Sequence, residues 1–140
     1  MSTVLWANIL LDGVVESDES DKYALYKHSK KLDKISKSLN ITCFMSVQDF
    51  TDVQFNLSGK DLPDEMESTD ELMAINGVWI NGAEAVAMLE GLIAHILDKK
   101  VNFGLLSNDK DVVVSELRES LVYANKAKNL NGKFNFSVVI

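Results

Sequence analysis

Apolar and polar residues alternate with two different periods along the chain, and the switches between them mark the predicted elements. From Val4 to Leu11, Val4, Trp6 and Leu10 fall on one side of a two-residue repeat, and Leu5, Ala7, Ile9 and Leu11 on the other. A strand apolar on both sides belongs inside a sheet covered on both faces. Asp12-Gly13 ends it as a turn. Ser17 to Asp21 then reads as an acidic helix entrance, whose side chains favour unpaired N–H groups and the positive end of the dipole. Leu25, His28, Leu32, Ile35 and Leu39 recur at three- and four-residue steps, which predicts a helix from about Glu19 to Leu39. Lysines cover much of its remaining surface, and Asn40 fits a left-handed cap.

Two-residue alternation returns twice. Ile41 to Val47 reads as a second strand, and Val53, Phe55 and Leu57 alternate with polar neighbours as a third. Asn76-Gly77 and Asn81-Gly82 bracket the short extended piece Val78 to Ile80. Asn81 is also an N-cap with Glu84 three residues on, a variant of the capping box, and it sets the start of a helix from Ala83 to Leu97. That helix is the most apolar in the chain. Glu84, Ala87, Gly91, Ala94 and Asp98 form a strip of polar and small residues along it, so it is expected to be buried, with another element close against Gly91. Val101 to Leu106 is a short apolar connector or strand. A last helix from about Lys110 to Lys128 carries Val113, Leu117, Leu121 and Ala124 inward, and a final strand alternates Phe134, Phe136, Val138 and Ile140 with polar residues. The pattern predicts one α/β or α+β domain, residues 1–140, with a sheet of about four strands and three helices.

Composition adds limits. The chain has 140 residues, 46% hydrophobic and 25% charged, with one proline and seven glycines, which is the profile of an ordinary globular domain. No apolar run reaches the roughly 18 residues of a membrane span. Met1 to Leu11 lacks a basic leader and is interrupted by Asn8, so it reads as a strand and not a secretory signal. Cys43 is the only cysteine, which leaves no internal disulfide framework. A cytoplasmic protein is expected.

Charge is unevenly placed. Of the net −7, residues 45–97 carry −9, residues 1–44 carry zero and residues 98–140 carry +2. An acidic chain repels nucleic acid, whose binding depends on neutralised phosphates, and no membrane partner is expected either. The lysine face of the first helix is read as solvated, since few aromatic residues interleave with it.

The residues that carry chemistry are sparse. His28, His95 and Cys43 show no ligand spacing, so no metal site is expected, and His28 reads as a hydrogen-bonded core histidine. Residues 61–72 have the length of an EF-hand loop but place Met66 where glycine is needed, Pro63 at a ligand position and Leu72 where the bidentate glutamate must stand. No Gly-x-Ser-x-Gly elbow, cysteine-protease context or phosphate loop occurs, so neither catalytic nor cofactor-binding residues are expected.

What remains is the acidic segment Asp61 to Glu71. Asp64, Glu65, Glu67, Asp70 and Glu71 form a candidate surface for a basic protein partner, with Trp79 supplying apolar contact. The expected function is a non-catalytic binding domain, of the kind that neutralises a basic toxin. Two alternatives stand beside it: a small enzyme or ligand-binding domain with a pocket near Trp79 and His95, and a homo-oligomer in which lysine helix and acidic loop meet.

Overall fold

Strand β5 (Lys133–Val139) is the axis of the computed structural model, which describes residues 2–140. Along one edge β5 pairs antiparallel with β1 (Val4–Leu11), which pairs antiparallel with β2 (Val14–Lys22). Along its other edge lie two short strands: β3 (Gln48–Asp49), parallel, and β4 (Ile80–Asn81), antiparallel. Six α-helices complete the described residues: α1 (Tyr23–Lys27), α2 (Ser29–Ser38), α3 (Thr51–Ser58), α4 (Thr69–Asn76), α5 (Gly82–Lys99) and α6 (Lys110–Asn129). The fold is α+β, with five strands and six helices where about four and three were expected.

The register sorts β1 and β5 into two faces. Trp6 lies opposite Ser137 and Asn8 opposite Asn135, while Ala7 lies opposite Phe136 and Ile9 opposite Phe134. Leu5, Ala7, Ile9, Phe134, Phe136 and Val138 therefore share one face, and all join the main core with residues of α1, α2, α5 and α6. Phe134 and Phe136 meet edge to face at 5.1 Å, and Phe44 packs at 5.4 Å from Phe136. Trp6, Asn8, Asn135 and Ser137 share the other face, which α3 and α4 cover by packing on β5 and β2. The expectation that β1 is covered on both sides holds.

The central helix follows its sequence closely. Asn81 Oδ1 accepts from the Glu84 amide at 2.8 Å, which completes half of the capping box. The other half is diverted, because the Glu84 carboxylate accepts from the Thr42 hydroxyl at 2.6 Å. At Gly91 a methyl group would sit 3.0 Å from Ile41 Cδ1, so the close approach expected there is made by Ile41. Gly82 lies so near the Lys128 backbone that a side chain would meet its nitrogen at 2.2 Å, and only glycine lets α5 start there.

Four expectations are corrected. The acidic segment before α1 is a strand and not a helix entrance: Asp12 and Gly13 both take positive φ, 50° and 78°, and the two-residue loop folds β2 back on β1. The helix predicted from Glu19 starts at Tyr23 and breaks at His28 into α1 and α2. Ile41 to Val47 is not a strand. Ser36 Oγ accepts from the Phe44 amide and Asp33 Oδ1 from the Met45 amide, and this pull from α2 winds Phe44–Val47 into a 3-10 turn. Residues 53–57 are helical (α3), since Val53 and Leu57 are also one helical turn apart and Gly59, at φ 69°, closes a helix C-terminus. Val101 to Leu106 is an irregular connector.

On β2 two further features stand out. Two steps along β1, from Leu5 to Ala7, span four along β2, from Lys22 to Asp18, so Glu19 to Asp21 bulge from the sheet's outer strand. Lys22 points to the core face and is fully buried, its Nζ 2.8 Å from Asp18 Oδ2 and 3.5 Å from Glu119 Oε2. Among the described residues no helix is long and apolar enough to cross a membrane.

Candidate functional site: an acidic cleft on the polar face of the sheet

The acidic segment does not stay a loop. Its end winds into α4, with Asp70 and Glu71 in the first helical turn, where carboxylates favour the positive end of the helix. Glu71 Oε1 also accepts from the Glu67 amide at 3.2 Å and ties the entrance to the helix. Upstream, Glu65 takes a left-handed conformation at φ 75° and turns the chain towards α4.

Between α4, α3 and the polar face of the sheet lies a cavity of about 220 Å³, lined by Trp6, Asp52, Ser68, Thr69, Asp70, Met73, Ser137 and Val139. Its wall is ordered by direct bonds. Thr69 Oγ1 donates to Asp52 Oδ1 at 2.6 Å, which joins α4 to α3. Trp6 Nε1 donates to Asp21 Oδ1 at 2.8 Å, which fixes the indole against β2. Ser68 and Asp70 also line a second, open groove of about 530 Å³, where Val14, Val15, Met66, Ala74 and Ile75 supply an apolar floor beside Glu71. Val14 and Ile75 are 68% and 70% exposed, so this floor lies open to water. Cavity and groove form one cleft.

Among the carboxylates that line the cleft, Asp70 stands out electrostatically. Partial burial, then Asp52, then Glu19 raise its pKa above the ordinary carboxylate value. No lysine or arginine lines either part of the cleft. The ion pairs of the described residues lie elsewhere, on Asp18, Glu119, Asp109, Asp33, Asp98 and Glu16. Carboxylates collected without a compensating cation attract a positive group supplied from outside.

Beneath the cleft the same sheet face is polar and sealed. Asn8 Nδ2 donates to Asn135 Oδ1 at 2.9 Å, Asn135 Nδ2 donates to the Val78 carbonyl at 2.8 Å, and Asn8 Oδ1 is buried with no donor among the described residues. Asp49, 2% exposed, accepts from the Thr51 and Val78 amides and pins the starts of α3 and of the segment after α4.

Of the residues expected at a partner surface, Asp70 and Glu71 line the cleft. Asp64, Glu65 and Glu67 are exposed on its approach and line neither part. Trp79 stands apart: its Nε1 donates to the Met73 carbonyl at 2.8 Å and closes the C-terminal end of α4. Neither Trp79 nor His95 lines any of the five main cavities. His28 is hydrogen-bonded as expected, with Nε2 at 2.8 Å from Asp109 Oδ2 and its ring edge-on to Phe103, but it is part-buried at the border of the core and lines a groove on the surface. Trp6, Asp52, Glu19 and Asp21 were absent from the sequence-based set. The Asp12-Gly13 hairpin signal was the clue that would have brought β2, and with it Glu19 and Asp21, to the site.

No protein-family model matches this chain, and no curated protein or solved structure matches it either.

Proposed function

We propose that this is a non-catalytic cytoplasmic binding domain that engages a basic protein partner through the cleft between α4 and the β1–β2 hairpin. The observation that carries the reading is the placing of Asp52 and Asp70 in the cavity and of Asp70 and Glu71 beside the open apolar floor, with Glu19 close enough to act on Asp70 and no lysine or arginine in either lining. Carboxylates around an apolar patch provide what a basic partner needs: long-range attraction that speeds encounter, and a surface from which water is expelled on docking. An inhibitor that neutralises a basic toxin such as a nuclease works in this way, and we favour that role.

The test compares two variants of equal charge. One carries Asp52→Asn, Asp70→Asn and Glu71→Gln in the cleft, and the other carries Asp61→Asn, Asp98→Asn and Asp111→Asn outside it. Immobilised wild-type protein and the outside variant should retain the same basic proteins from native lysate, released by salt, and the cleft variant should lose them. Retention of the same set by the cleft variant, or equal loss by both, rejects the cleft as the binding surface.

A further inference from the structure

A second groove, of about 510 Å³, shares no lining residue with the acidic cleft and has the opposite character. In the sequence the lysines of the first helix have little aromatic company. The fold supplies it: Met45 and Phe50, from the segment beside β3, lie with Tyr26, Lys30 and Lys31 around one depression. Tyr26, Met45 and Phe50 are 38%, 39% and 44% exposed, large apolar surfaces held half open to water.

The floor of this groove includes a buried amide side chain. Gln48 lines it and is only 5% exposed. Ser29 Oγ donates to the Leu25 carbonyl, so towards Gln48 it can only accept, and the Gln48 end that faces it at 2.8 Å must be the Nε2 donor. The amide oxygen is thereby turned away from Ser29. No donor among the described residues bonds it, and it is not among the fully buried unpaired atoms. Among the described residues Lys30 on the rim has no hydrogen-bond or ion-pair partner, whereas Lys27 is held by Asp109, and Lys31 bonds the Asn102 carbonyl and lies over Phe103.

We propose that this groove binds a small aromatic anion: a ring with an N–H or O–H donor at one end and a phosphate or carboxylate at the other. The exposed aromatic and methionine surfaces take the ring face, the Gln48 oxygen takes the donor, and Lys30 takes the anion. A nucleotide and an amino-substituted aromatic carboxylate both carry this chemistry.

Titration of isotope-labelled protein followed by amide chemical shifts separates the sources. The probes are adenosine monophosphate, 4-aminobenzoate, adenosine and inorganic phosphate. One of the first two should shift Gln48, Phe50 and Lys30 and bind at least about tenfold tighter than adenosine or phosphate. Tighter binding of adenosine monophosphate assigns a nucleotide, and tighter binding of aminobenzoate assigns the carboxylate class. Phe50→Ala should weaken the tighter probe by about tenfold, and Lys30→Glu by about threefold or more. Both side chains are on the surface, and an unchanged unfolding midpoint verifies that each variant folds. No shifts with either ring anion, the same shifts with phosphate alone, or full affinity in both variants overturns the proposal. The cleft variant should bind the probe as wild type does, so this result and the partner test stand or fall separately.

Discussion

The two faces of the β1–β5 pair differ by one residue step and have opposite chemistry. On one face Leu5, Ala7, Ile9, Phe134, Phe136 and Val138 are buried under four helices. On the other, Trp6, Asn8, Asn135 and Ser137 support a thin cover of two short helices, of which α3 buries no residue fully and α4 only Met73. The first face is stabilised by area removed from water, and the second is held by specific hydrogen bonds around buried amides. A fold secured on one face leaves the opposite face free to keep unpaired carboxylates, exposed apolar groups and a cavity.

Substitutions at adjacent positions break or sharpen this contrast. Phe136→Ala empties the centre of the apolar face and should cost about 3–5 kcal/mol in chemical denaturation. Ser137→Ala, one residue on and facing the cleft, should change stability by less than about 1 kcal/mol. Comparable losses would show that the polar face is as tightly committed as the apolar one. Next in size is Asn135→Ala, which strips the acceptor from Asn8 and the donor from the Val78 carbonyl, and should cost about 1–3 kcal/mol. Asn8→Ala should cost less, because it also removes an oxygen that is already unpaired. A double-mutant cycle across the pair should be non-additive.

The smallest effect concerns Asp70, and only its sign is predicted. Its folded pKa is raised by burial, Asp52 and Glu19, so as pH climbs from below 3.8 the unfolded chain ionises first and folding stability falls. The loss is complete once pH passes the raised value. Asp70→Asn should therefore stabilise the protein at neutral pH, and the gain should fade as pH drops through 3.8. Equal unfolding midpoints of wild type and variant across that range would remove Asp70 from the set of strained carboxylates. A stabilising loss of charge in the cleft fits a group retained for binding.

The same division explains what was legible in the sequence. Central strand, apolar helix, last helix and last strand all carry long apolar periods and lie on or against the main core. Asn81, Asn40 and Gly91 gave local signals that the structure repeats, Asn40 with φ 57°. The polar face was misread because its elements are short and their patterns ambiguous: Val53 to Leu57 satisfies two periods at once, and β2 is written in acids and serines. The cleft needed β1, β2, α3 and α4 brought together, and only the fold supplies that. Asp70 and Glu71 were legible from charge alone, whereas Trp6 and Asp52 were hidden by their distance in sequence.

Strand β2 lies at the open edge of the sheet, with Glu16, Asp18, Glu19 and Asp21 along it and a bulge near its end. Bare strand edges present unpaired N–H and C=O groups and recruit other strands, those of an identical chain included. Two copies meeting here would set like charges opposite one another, and the bulge would spoil the ladder before it reached full length. The hairpin that walls the cleft with Trp6, Val14 and Val15 thus also carries, along its outer strand, the charge and the bulge that discourage edge-to-edge pairing.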